Sequence, residues 1–248
     1  MHQKERIKCI IDILKKNGYV SVKFLTDELH YSTATINRDL NVMQKQKLIK
    51  RSYGGVELIK TRAVPLMFRY HKMRPAKNKI AKNAAEFVCD GDVVFIDGST
   101  TTQYMGKYIT DRKNLTVITN NITLAAFLSE HGIAVICLGG KVEEPPSMLC
   151  SSITIENAKK YKVDKMFFSV GAFSENGEYC VGELYYSLHM AVRENAKQAF
   201  LLIDHEKRNR DLQEYWIQLS EIYGIVTDYK FSDEVKEKYK NTQFIEVE

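Results

Sequence analysis

The chain has 248 residues, of which 44% are apolar and 27% are charged, and its formal net charge is +5. This composition is ordinary for a globular protein of one large or two smaller domains, and the sequence has no run of about 18 apolar residues to span a membrane. The charge is uneven, since residues 1–82 carry 19 Lys and Arg against 6 Asp and Glu, whereas residues 83–248 carry 17 against 25. A basic front joined to an acidic remainder is typical of a nucleic-acid-binding arm attached to a different module.

The cysteines and histidines indicate neither a disulfide framework nor a metal site. The five cysteines are odd in number, far apart and never in a Cys-x-x-Cys pair, which favours reduced thiols in a cytoplasmic protein. The six histidines form no His-Glu-x-x-His motif and no cluster of ligands. The N-terminus leads into an amphipathic pattern instead of an apolar core, so no secretory signal is expected.

Three helices and a hairpin are predicted over residues 3–58. Apolar residues at helical spacing predict a first helix around 7–14 that ends at Asn17-Gly18, and then a second short helix capped by Ser21. A third helix is capped by Ser32 and runs to about Gln46, and strands at 48–51 and 56–59 flank a Gly-Gly turn. This order is typical of a winged helix-turn-helix, which predicts a DNA-binding domain over 3–58 with its helix-turn-helix motif at about 20–39.

The third predicted helix has one apolar and one polar side. Ile36, Leu40 and Met43 recur at helical spacing and predict a buried seam, so the polar residues point away from the core. For such a stretch taken alone, a solvated amphipathic helix is the alternative. In a winged helix-turn-helix this helix enters the major groove, where Thr, Asn and Arg reach base edges or phosphates. The residues predicted to contact DNA, two of them from the hairpin, are Ser32, Thr33, Thr35, Asn37, Arg38, Asn41, Lys45, Arg51 and Tyr53.

Residues 59–79 contain two prolines, many bases and no acid, and are predicted to form a basic linker. A helix is predicted at about 77–89. In the effector domain predicted over residues 80–248, helices alternate with apolar strands. Strands that are apolar throughout imply a mainly parallel, Rossmann-like α/β sheet with helices on both faces. These strands are predicted at 93–97, 115–119, 133–138, 165–171, 199–203, 214–219, 222–227 and 243–247.

Small polar residues follow several of these strands, and ligands of open α/β sheets bind beyond the carboxyl ends of the strands. The run 98–102 opens a helix, so its free backbone N–H groups and hydroxyls predict a phosphate cradle, with Asp97 accepting from sugar hydroxyls and Lys207 supplying positive charge. One such loop would fit an ordinary turn, but several on one edge favour a polyol or phosphate pocket. The residues predicted to bind this effector are Asp97, Gly98, Ser99, Thr100, Thr101, Thr102, Asn120, Asn121, Gly139, Gly140, Lys141, Gly171, Glu183, Asp204 and Lys207.

No nucleotide cofactor is expected from the motifs. The chain has no Gly-x-x-x-x-Gly-Lys-Ser/Thr for ATP. Its first predicted parallel strand is followed by no Gly-x-Gly-x-x-Gly for a dinucleotide.

These motifs together resemble the DeoR family of bacterial transcriptional regulators over nearly the whole chain. The family's Ser-x-x-Thr-Ile-Arg-Arg-Asp-Leu-like run is matched by 32–40, and its basic wing with Gly-Gly by 51–55. Its effector domain has an Asp-x-Gly-Thr-Thr-like loop, a Val-x-Thr-Asn step, a Gly-Gly pair and an Asp-x-Ser-Lys element, which resemble 97–101, 117–120, 139–140 and 204–207. The resemblance implies a repressor of a sugar-catabolic operon that a phosphorylated sugar releases from DNA, with an effector domain similar in fold to ribose-5-phosphate isomerase.

Four positions depart from the family pattern. Asn37 stands where an arginine is common. Since Asn prefers adenine and Arg prefers guanine, each by roughly 1–3 kcal/mol, we expect an operator richer in A·T at that contact. His205-Glu206 replaces small polar residues, and Cys150 stands where glycine is common, so the identity of the effector stays open.

Two alternative functions fit parts of the sequence. A sugar-phosphate isomerase with an added DNA-binding domain would share the fold, but such isomerases carry an Asp-Gly-Ala-Asp-Glu-like turn that supplies proton-transferring carboxylates. Here Val170 and Phe173 stand at the two aspartate positions, so no catalysis is expected, and Glu183 is left to bind a hydroxyl. The other alternative is a nucleic-acid-binding protein whose α/β domain only oligomerises.

For the DeoR-like regulator, we expect a dimer or tetramer that reads half-sites about one helical turn (roughly 34 Å) apart, or a multiple of it.

Overall fold

The structure is a computed structural model that describes residues 3–45, 48–52, 55–58, 72–144, 148–210 and 215–248. The chain divides into two units, Met1–Pro65 and Leu66–Glu248. The linker predicted at 59–79 therefore lies outside the described residues up to residue 71. No helix within the described ranges is long and apolar enough to cross a membrane.

The first unit is a winged helix-turn-helix, as predicted. Its elements are α1 (Gln3–Asn17), β1 (Tyr19–Ser21), α2 (Val22–Leu29), α3 (Thr33–Lys45), β2 (Ile49–Ser52) and β3 (Gly55–Leu58). Strand β3 pairs antiparallel with both β1 and β2, so the wing is anchored to the strand that precedes α2. The three helices bury one another's apolar stripes, and the fully buried side chains include Ile10, Leu14, Leu25, Ile36, Leu40 and Met43.

Two serine caps fix the starts of α2 and α3. Ser21 Oγ accepts from the backbone N–H of Phe24 at 3.0 Å, and Ser32 Oγ accepts from that of Thr35 at 3.3 Å. Each hydroxyl satisfies a backbone donor that the first turn of a helix leaves free. His30 ends α2 in the left-handed region, with φ of 55°, and so turns the chain into α3 within two residues. The predicted caps are confirmed.

The second unit is built on a seven-stranded sheet in which every neighbouring pair is parallel. Its strands are β4 (Val93–Ile96), β5 (Thr116–Thr119), β6 (Ala134–Cys137), β9 (Val163–Phe168), β12 (Ala196–Ile203), β14 (Gly224–Thr227) and β15 (Gln243–Glu246). Across the sheet they lie in the order β15, β14, β12, β9, β4, β5, β6. The expected mainly parallel α/β fold is confirmed, but the strand predicted at 214–219 lies outside this sheet and pairs antiparallel with Glu178–Val181.

Both faces of this sheet are covered by apolar side chains. Phe95 packs into one core, while its neighbours Val94 and Ile96 pack into the other, because successive side chains of a strand point to opposite faces. The helices of the unit are α4 (Arg74–Ala85), α5 (Ile122–Glu130), α6 (Ser152–Ala158), α7 (Glu183–Arg193) and α8 (Asp233–Lys238). Two small antiparallel sheets complete it, one of β7 (Val142–Glu144) and β8 (Met148–Leu149) and one of β10 (Ala172–Ser174), β11 (Glu178–Val181) and β13 (Tyr215–Gln218).

The order of the strands creates a switch point between β4 and β9. From β4 the chain moves outward through β5 to β6, and it then returns to place β9 on the other side of β4. Connections therefore leave these two adjacent strands in opposite directions and open a crevice at their carboxyl ends, where ligands bind in open α/β sheets. Asp97 follows β4 and Ser169 follows β9, so both lie at this crevice.

The structure differs from the sequence predictions for this unit in three further respects. Helix α4 begins at Arg74, so residues 74–79 of the predicted linker are helical; Pro75 is tolerated there because the first helical turn does not use its missing N–H. The segment after the 98–102 run is a 3-10 helix, Thr102–Tyr108, and its Thr, Tyr and Gly residues are poor α-helix formers. The hairpin of β10 and β11 was not predicted, because its strands are only three and four residues long.

Candidate functional site

The polar side of α3 carries the predicted DNA-reading residues. Ser32, Thr33, Arg38, Asn41 and Lys45 are exposed, and Thr35, Asn37 and Arg51 are half-buried. Ser32 also serves as the N-cap, and its hydroxyl lies 3.0 Å from that of Thr35. Tyr53 lies outside the described residues. A row of short polar and basic side chains on an open helix face is suited to phosphates and base edges.

Arg51 joins the wing to this helix. Its Nη1 donates to Asn41 Oδ1 at 2.8 Å, and its Nη2 donates to Asn37 Oδ1. Bidentate recognition of adenine uses both the oxygen and the nitrogen of an asparagine amide. Because the Asn37 oxygen already accepts from Arg51, Asn37 offers DNA chiefly its Nδ2 donors. The expected preference for A·T at this contact stays a prediction, and Arg51 bears directly on it.

A buried ion pair lies behind the reading helix. The Asp39 side chain is fully buried, and Arg6 donates to it from Nε at 2.7 Å and from Nη2 at 3.1 Å. Gln3 adds a third hydrogen bond at 2.9 Å. Sequence reasoning missed this role, although Asp39 falls beside Leu40 on the apolar seam, where an acid needs a partner. Through these bonds α1 fixes the orientation of α3.

The carboxylate of Asp97 organises the crevice of the second unit. Its Oδ1 accepts from the Ser99 N–H at 3.1 Å and from Thr102 Oγ1 at 2.6 Å. Its Oδ2 accepts from the Ser169 N–H at 3.0 Å and lies 3.3 Å from His189 Nε2. With both oxygens engaged inside the protein, Asp97 holds the loops after β4 and β9 together. Its expected contact with sugar hydroxyls stays a prediction.

The charge on Asp97 is maintained by its donors. Burial alone would raise the pKa of this carboxyl, but the hydrogen bond and positive charge of His189, with the Thr102 and Ser169 donors, outweigh burial and hold the pKa below its ordinary value. His189 is itself buried on α7, with its ring edge-on to Phe168 at 5.2 Å. Sequence reasoning missed His189; the available signal was a histidine within the apolar stripe of a predicted helix.

Two lysines donate to hydroxyls of the loops that follow the strands. Lys207 Nζ donates to Ser169 Oγ at 2.9 Å and lies 3.9 Å from Asp204 Oδ2. Lys77, on α4, is only 3% exposed and donates to Thr100 Oγ1 at 3.0 Å. Lys77 was missed because it falls in the predicted linker. Its spacing of three, four and seven residues from Ile80, Ala81 and Ala84 was the signal, since it puts a lysine on the buried stripe.

Several buried polar atoms at this edge of the sheet have no hydrogen-bond partner in the part of the chain that the structure describes. They include Thr101 Oγ1, Asn120 Oδ1 and His189 Nδ1. Buried polar atoms are rarely left unpaired, because each loses its hydrogen bonds to water. Hydroxyls or phosphate oxygens of a bound small molecule would supply partners.

Other predicted effector residues have structural roles. Asn121 caps α5 by accepting from the Leu124 N–H at 3.0 Å. The Gly139 carbonyl accepts from Thr154 Oγ1 at 2.8 Å, and a Cβ on Gly140 would meet that same oxygen at 2.1 Å. The Lys141 side chain is 72% exposed and pairs with Glu143 at 2.7 Å. Gly98 packs beneath Met148, while Gly171 and Glu183 are exposed.

The two aspartate positions of the isomerase turn are filled by core residues. Val170 is 7% exposed and Phe173 is fully buried. The ring of Phe173 packs on those of Tyr229 and Phe231, at centroid distances of 5.3 and 5.6 Å. The proton-transferring pair of an isomerase has no counterpart at these positions.

A winged helix-turn-helix and a separate α/β unit with a polar crevice define a DNA-binding regulator that carries a ligand-sensing domain. The DeoR-like helix-turn-helix domain matches residues 6–62, and the DeoR C terminal sensor domain matches residues 72–229. The chain belongs to the DeoR family. Membership of this family makes it a transcriptional regulator and not a sugar-phosphate isomerase.

Named relatives agree with this assignment. The chain is 34% identical over 231 residues to the HTH-type transcriptional repressor GlcR of Bacillus subtilis, covering 92% of this chain and 89% of that protein. It is 27% identical over 232 residues to the glycerol-3-phosphate regulon repressor of Escherichia coli, covering 92% of each. Among solved structures it is similar to ribose 5-phosphate isomerase from Plasmodium falciparum, with a TM-score of 0.41 at 14% identity, over 55% of this chain and 53% of that one.

Proposed function

We propose that this protein represses an operon of carbohydrate catabolism and is released from its operator by a phosphorylated sugar. The names of two relatives, the glycerol-3-phosphate regulon repressor and the lactose phosphotransferase system repressor, support a role in carbon metabolism. We further propose that it binds DNA as a homodimer or tetramer, with one winged helix on each half-site.

The observation that carries the effector proposal is the composition of the crevice between β4 and β9. Lys77 and Lys207 each donate to a hydroxyl of a different strand-end loop, Thr100 and Ser169. A phosphate that accepts from those hydroxyls would lie within a few ångströms of both ammonium groups, in surroundings where charges are weakly screened. The unpaired Asn120 and His189 atoms are suited to sugar hydroxyls.

On the DNA side, we assign phosphate contacts to Ser32, Lys45 and Arg51, and base contacts to Thr33, Thr35, Asn37 and Arg38. The exposure of Ser32, Thr33, Arg38 and Lys45 on one helix face supports the assignment, as does the bond from Arg51 to Asn37 of the same helix. Arg38 is exposed at the middle of that face, so we expect Arg38→Ala to abolish discrimination between operator and random DNA.

The test is a titration of labelled DNA from upstream of the protein's own gene, read by fluorescence anisotropy at low salt. We expect tight, sequence-dependent binding that is weakened 5- to 150-fold, or about 1–3 kcal/mol, by one of four probes: glucose 6-phosphate, fructose 1-phosphate, ribose 5-phosphate or glycerol 3-phosphate. A probe at about 100 times its Kd should also stabilise the protein by roughly 2.7 kcal/mol in a thermal shift. Failure to prefer that DNA, or turnover of a probe at enzymatic rates, would contradict the proposal.

The phosphate site has its own control pair. Lys207→Ala should abolish the response to the effective probe, whereas Lys197→Ala, which removes an exposed lysine near the start of β12, should leave it unchanged. An intact response in Lys207→Ala would mean that the phosphate binds elsewhere.

A further inference from the structure

The chain enters the second unit through a short segment, residues 72–77, that contacts two effector loops at once. Lys77 Nζ donates to Thr100 Oγ1 in the loop after β4. Lys72 forms an ion pair with Glu206, which precedes Lys207 in the turn after β12. Residue 72 is the first described residue of the second unit. Along the sequence, this segment is therefore the described part of that unit that comes soonest after the DNA-binding unit.

The backbone of this segment is held in an unusual conformation. Met73 adopts φ of 54° and ψ of 32°, the left-handed region that side-chain-bearing residues rarely occupy. It directly precedes α4, and its carbonyl accepts from the Lys77 N–H at 2.9 Å. Further along α4, Ile80, Ala81 and Ala84 are fully buried and anchor the helix to the sheet. The first turn of α4 and the residue before Met73 are the part of this element that contacts the two loops.

We propose that residues 72–77 form a coupling segment, in which Lys77 and Lys72 report the state of the two effector loops to the connection with the DNA-binding unit. This inference rests on the proposed release by a phosphorylated sugar. A phosphate at the 98–102 loop attracts the buried Lys77 ammonium, which is 3.0 Å from Thr100 Oγ1. A shift of Lys77 moves the first turn of α4, and with it Met73 and the Lys72–Glu206 pair.

The two lysines contribute unequally because their exposure differs. Lys77 is buried, so its interaction with a phosphate is weakly screened. The side chains of Lys72 and Glu206 are 52% and 35% exposed, and such pairs contribute little. Loss of Lys77 should therefore remove most of the coupling, whereas loss of Lys72 should reduce it only about two- to fivefold.

The experiment compares two quantities in full-length variants: the thermal shift with a phosphate ester, which reports binding, and the ratio of operator Kd values with and without it, which reports coupling. Inorganic phosphate and the four named sugar and glycerol phosphates serve as probes. The variants are Lys77→Gln, Lys77→Arg and Lys72→Gln, with Lys79→Gln as the matched control, since Lys79 is exposed on the same helix.

We expect Lys72→Gln to keep the wild-type thermal shift with the effective probe while its coupling ratio falls about two- to fivefold. The exchange of charges in Lys72→Glu with Glu206→Lys should restore that ratio. Lys77→Gln should lose both the shift and the coupling, Lys77→Arg should recover part of each, and Lys79→Gln should match the wild type. A melting temperature measured without probe identifies any variant that is merely unfolded.

Three results would overturn the inference. A wild-type coupling ratio in both Lys72→Gln and Lys77→Gln would show that the segment transmits nothing. A drop of the same size in Lys79→Gln would show a general effect of charge on α4. If the wild type binds its operator but responds to no probe, the proposed sensor and the coupling segment are both refuted. If the wild type does not bind its operator, the proposed function itself is refuted.

Discussion

The guanidinium of Arg51, on strand β2 of the wing, donates to the side-chain oxygen of Asn37 in the reading helix. A second bond joins it to Asn41, one helical turn further along α3. Two asparagines thus hold one arginine across the gap between wing and helix. The orientation of Arg51, a proposed phosphate contact, is therefore set by two residues that are themselves predicted to contact DNA.

The first prediction concerns this link. Asn37→Ala should weaken operator binding about fivefold, or roughly 1 kcal/mol, because Arg51 loses a bond that orients it. The same substitution should cost less in an Arg51→Ala background than in the wild type, because only the base contact proposed for Asn37 is then lost, and a double-mutant cycle in anisotropy titrations would reveal the difference. Lys45→Ala, which removes an exposed side chain, should be additive with Arg51→Ala. Additivity of Asn37→Ala as well would mean that the two residues act separately on DNA.

A second prediction separates phosphate contacts from base contacts. Lys45 is exposed in the last turn of α3, so Lys45→Ala should weaken binding to all DNA sequences to a similar degree. The slope of log K against log salt should fall by about one, as expected for one lost phosphate contact. The slope is measured by titrating operator and scrambled DNA at salt concentrations between about 50 and 200 mM. A loss confined to the operator would instead assign Lys45 to a base.

Third, the buried acid behind the reading helix should be essential for folding of the first unit. Asp39→Ala removes the carboxylate partner of Arg6, whose side chain is 13% exposed, and should cost about 3–5 kcal/mol. Urea unfolding followed by circular dichroism would measure the loss. The double substitution Arg6→Met with Asp39→Leu should be milder, because it removes both charges together. Equal losses in the single and double variants would contradict this account.

The fourth prediction uses the depressed pKa of Asp97. A carboxyl whose pKa is lower in the folded state than in the unfolded state stabilises the fold above the unfolded value, about 3.9, and loses that effect as the pH falls through the folded value. Asp97→Asn should therefore destabilise the second unit by about 2–4 kcal/mol at pH 7, since it replaces a charged acceptor of four groups. Below about pH 4 the difference from wild type should shrink. Chemical denaturation at about pH 7, 5 and 3.5, which lie on both sides of that unfolded pKa, tests the trend. A difference in stability between Asp97→Asn and wild type that stays constant over these pH values would contradict the prediction.

A fifth prediction concerns thiol reactivity. Burial, with the nearby charge of Glu143, raises the pKa of Cys150 to about 11. At pH 8 only about one Cys150 in a thousand is then a thiolate, so it should resist a disulfide reagent in the folded protein. Cys89, which is exposed, should react quickly under the same conditions. Mass spectrometry after brief labelling distinguishes the two, and early labelling of Cys150 would show that its surroundings open readily.

Sequence alone predicted most of the fold because its patterns are local. The seam of Ile36, Leu40 and Met43 defined α3, and continuous apolar runs defined the parallel strands. The start of α4 was misplaced because a proline at the first turn of a helix looks the same in the sequence as a proline in a linker. The β10–β11 hairpin is too short for a periodic signal.

The candidate sites were predicted less completely, because contacts between distant residues leave no local pattern. The 97–102 loop and Lys207 were recognised from strand-end chemistry, but Asp97 proved to bind its own protein through Ser169, which is 72 residues away. Lys77 and His189 could be recognised only as polar residues on buried stripes. The bonds from Arg51 to Asn37 and Asn41 depend on how the wing folds against the helix, which residue spacing does not specify.

The bond between Asp97 and Ser169 lies on the boundary between the two halves of the central sheet, one built from residues before 140 and the other from residues after 160. The metabolite that we propose for this crevice would touch both halves and favour the folded state by mass action, which would also protect the chain from proteases. The supply of that metabolite would therefore set the lifetime of the protein in the cell, so that a starved cell clears its unliganded copies sooner than a fed cell clears its liganded ones.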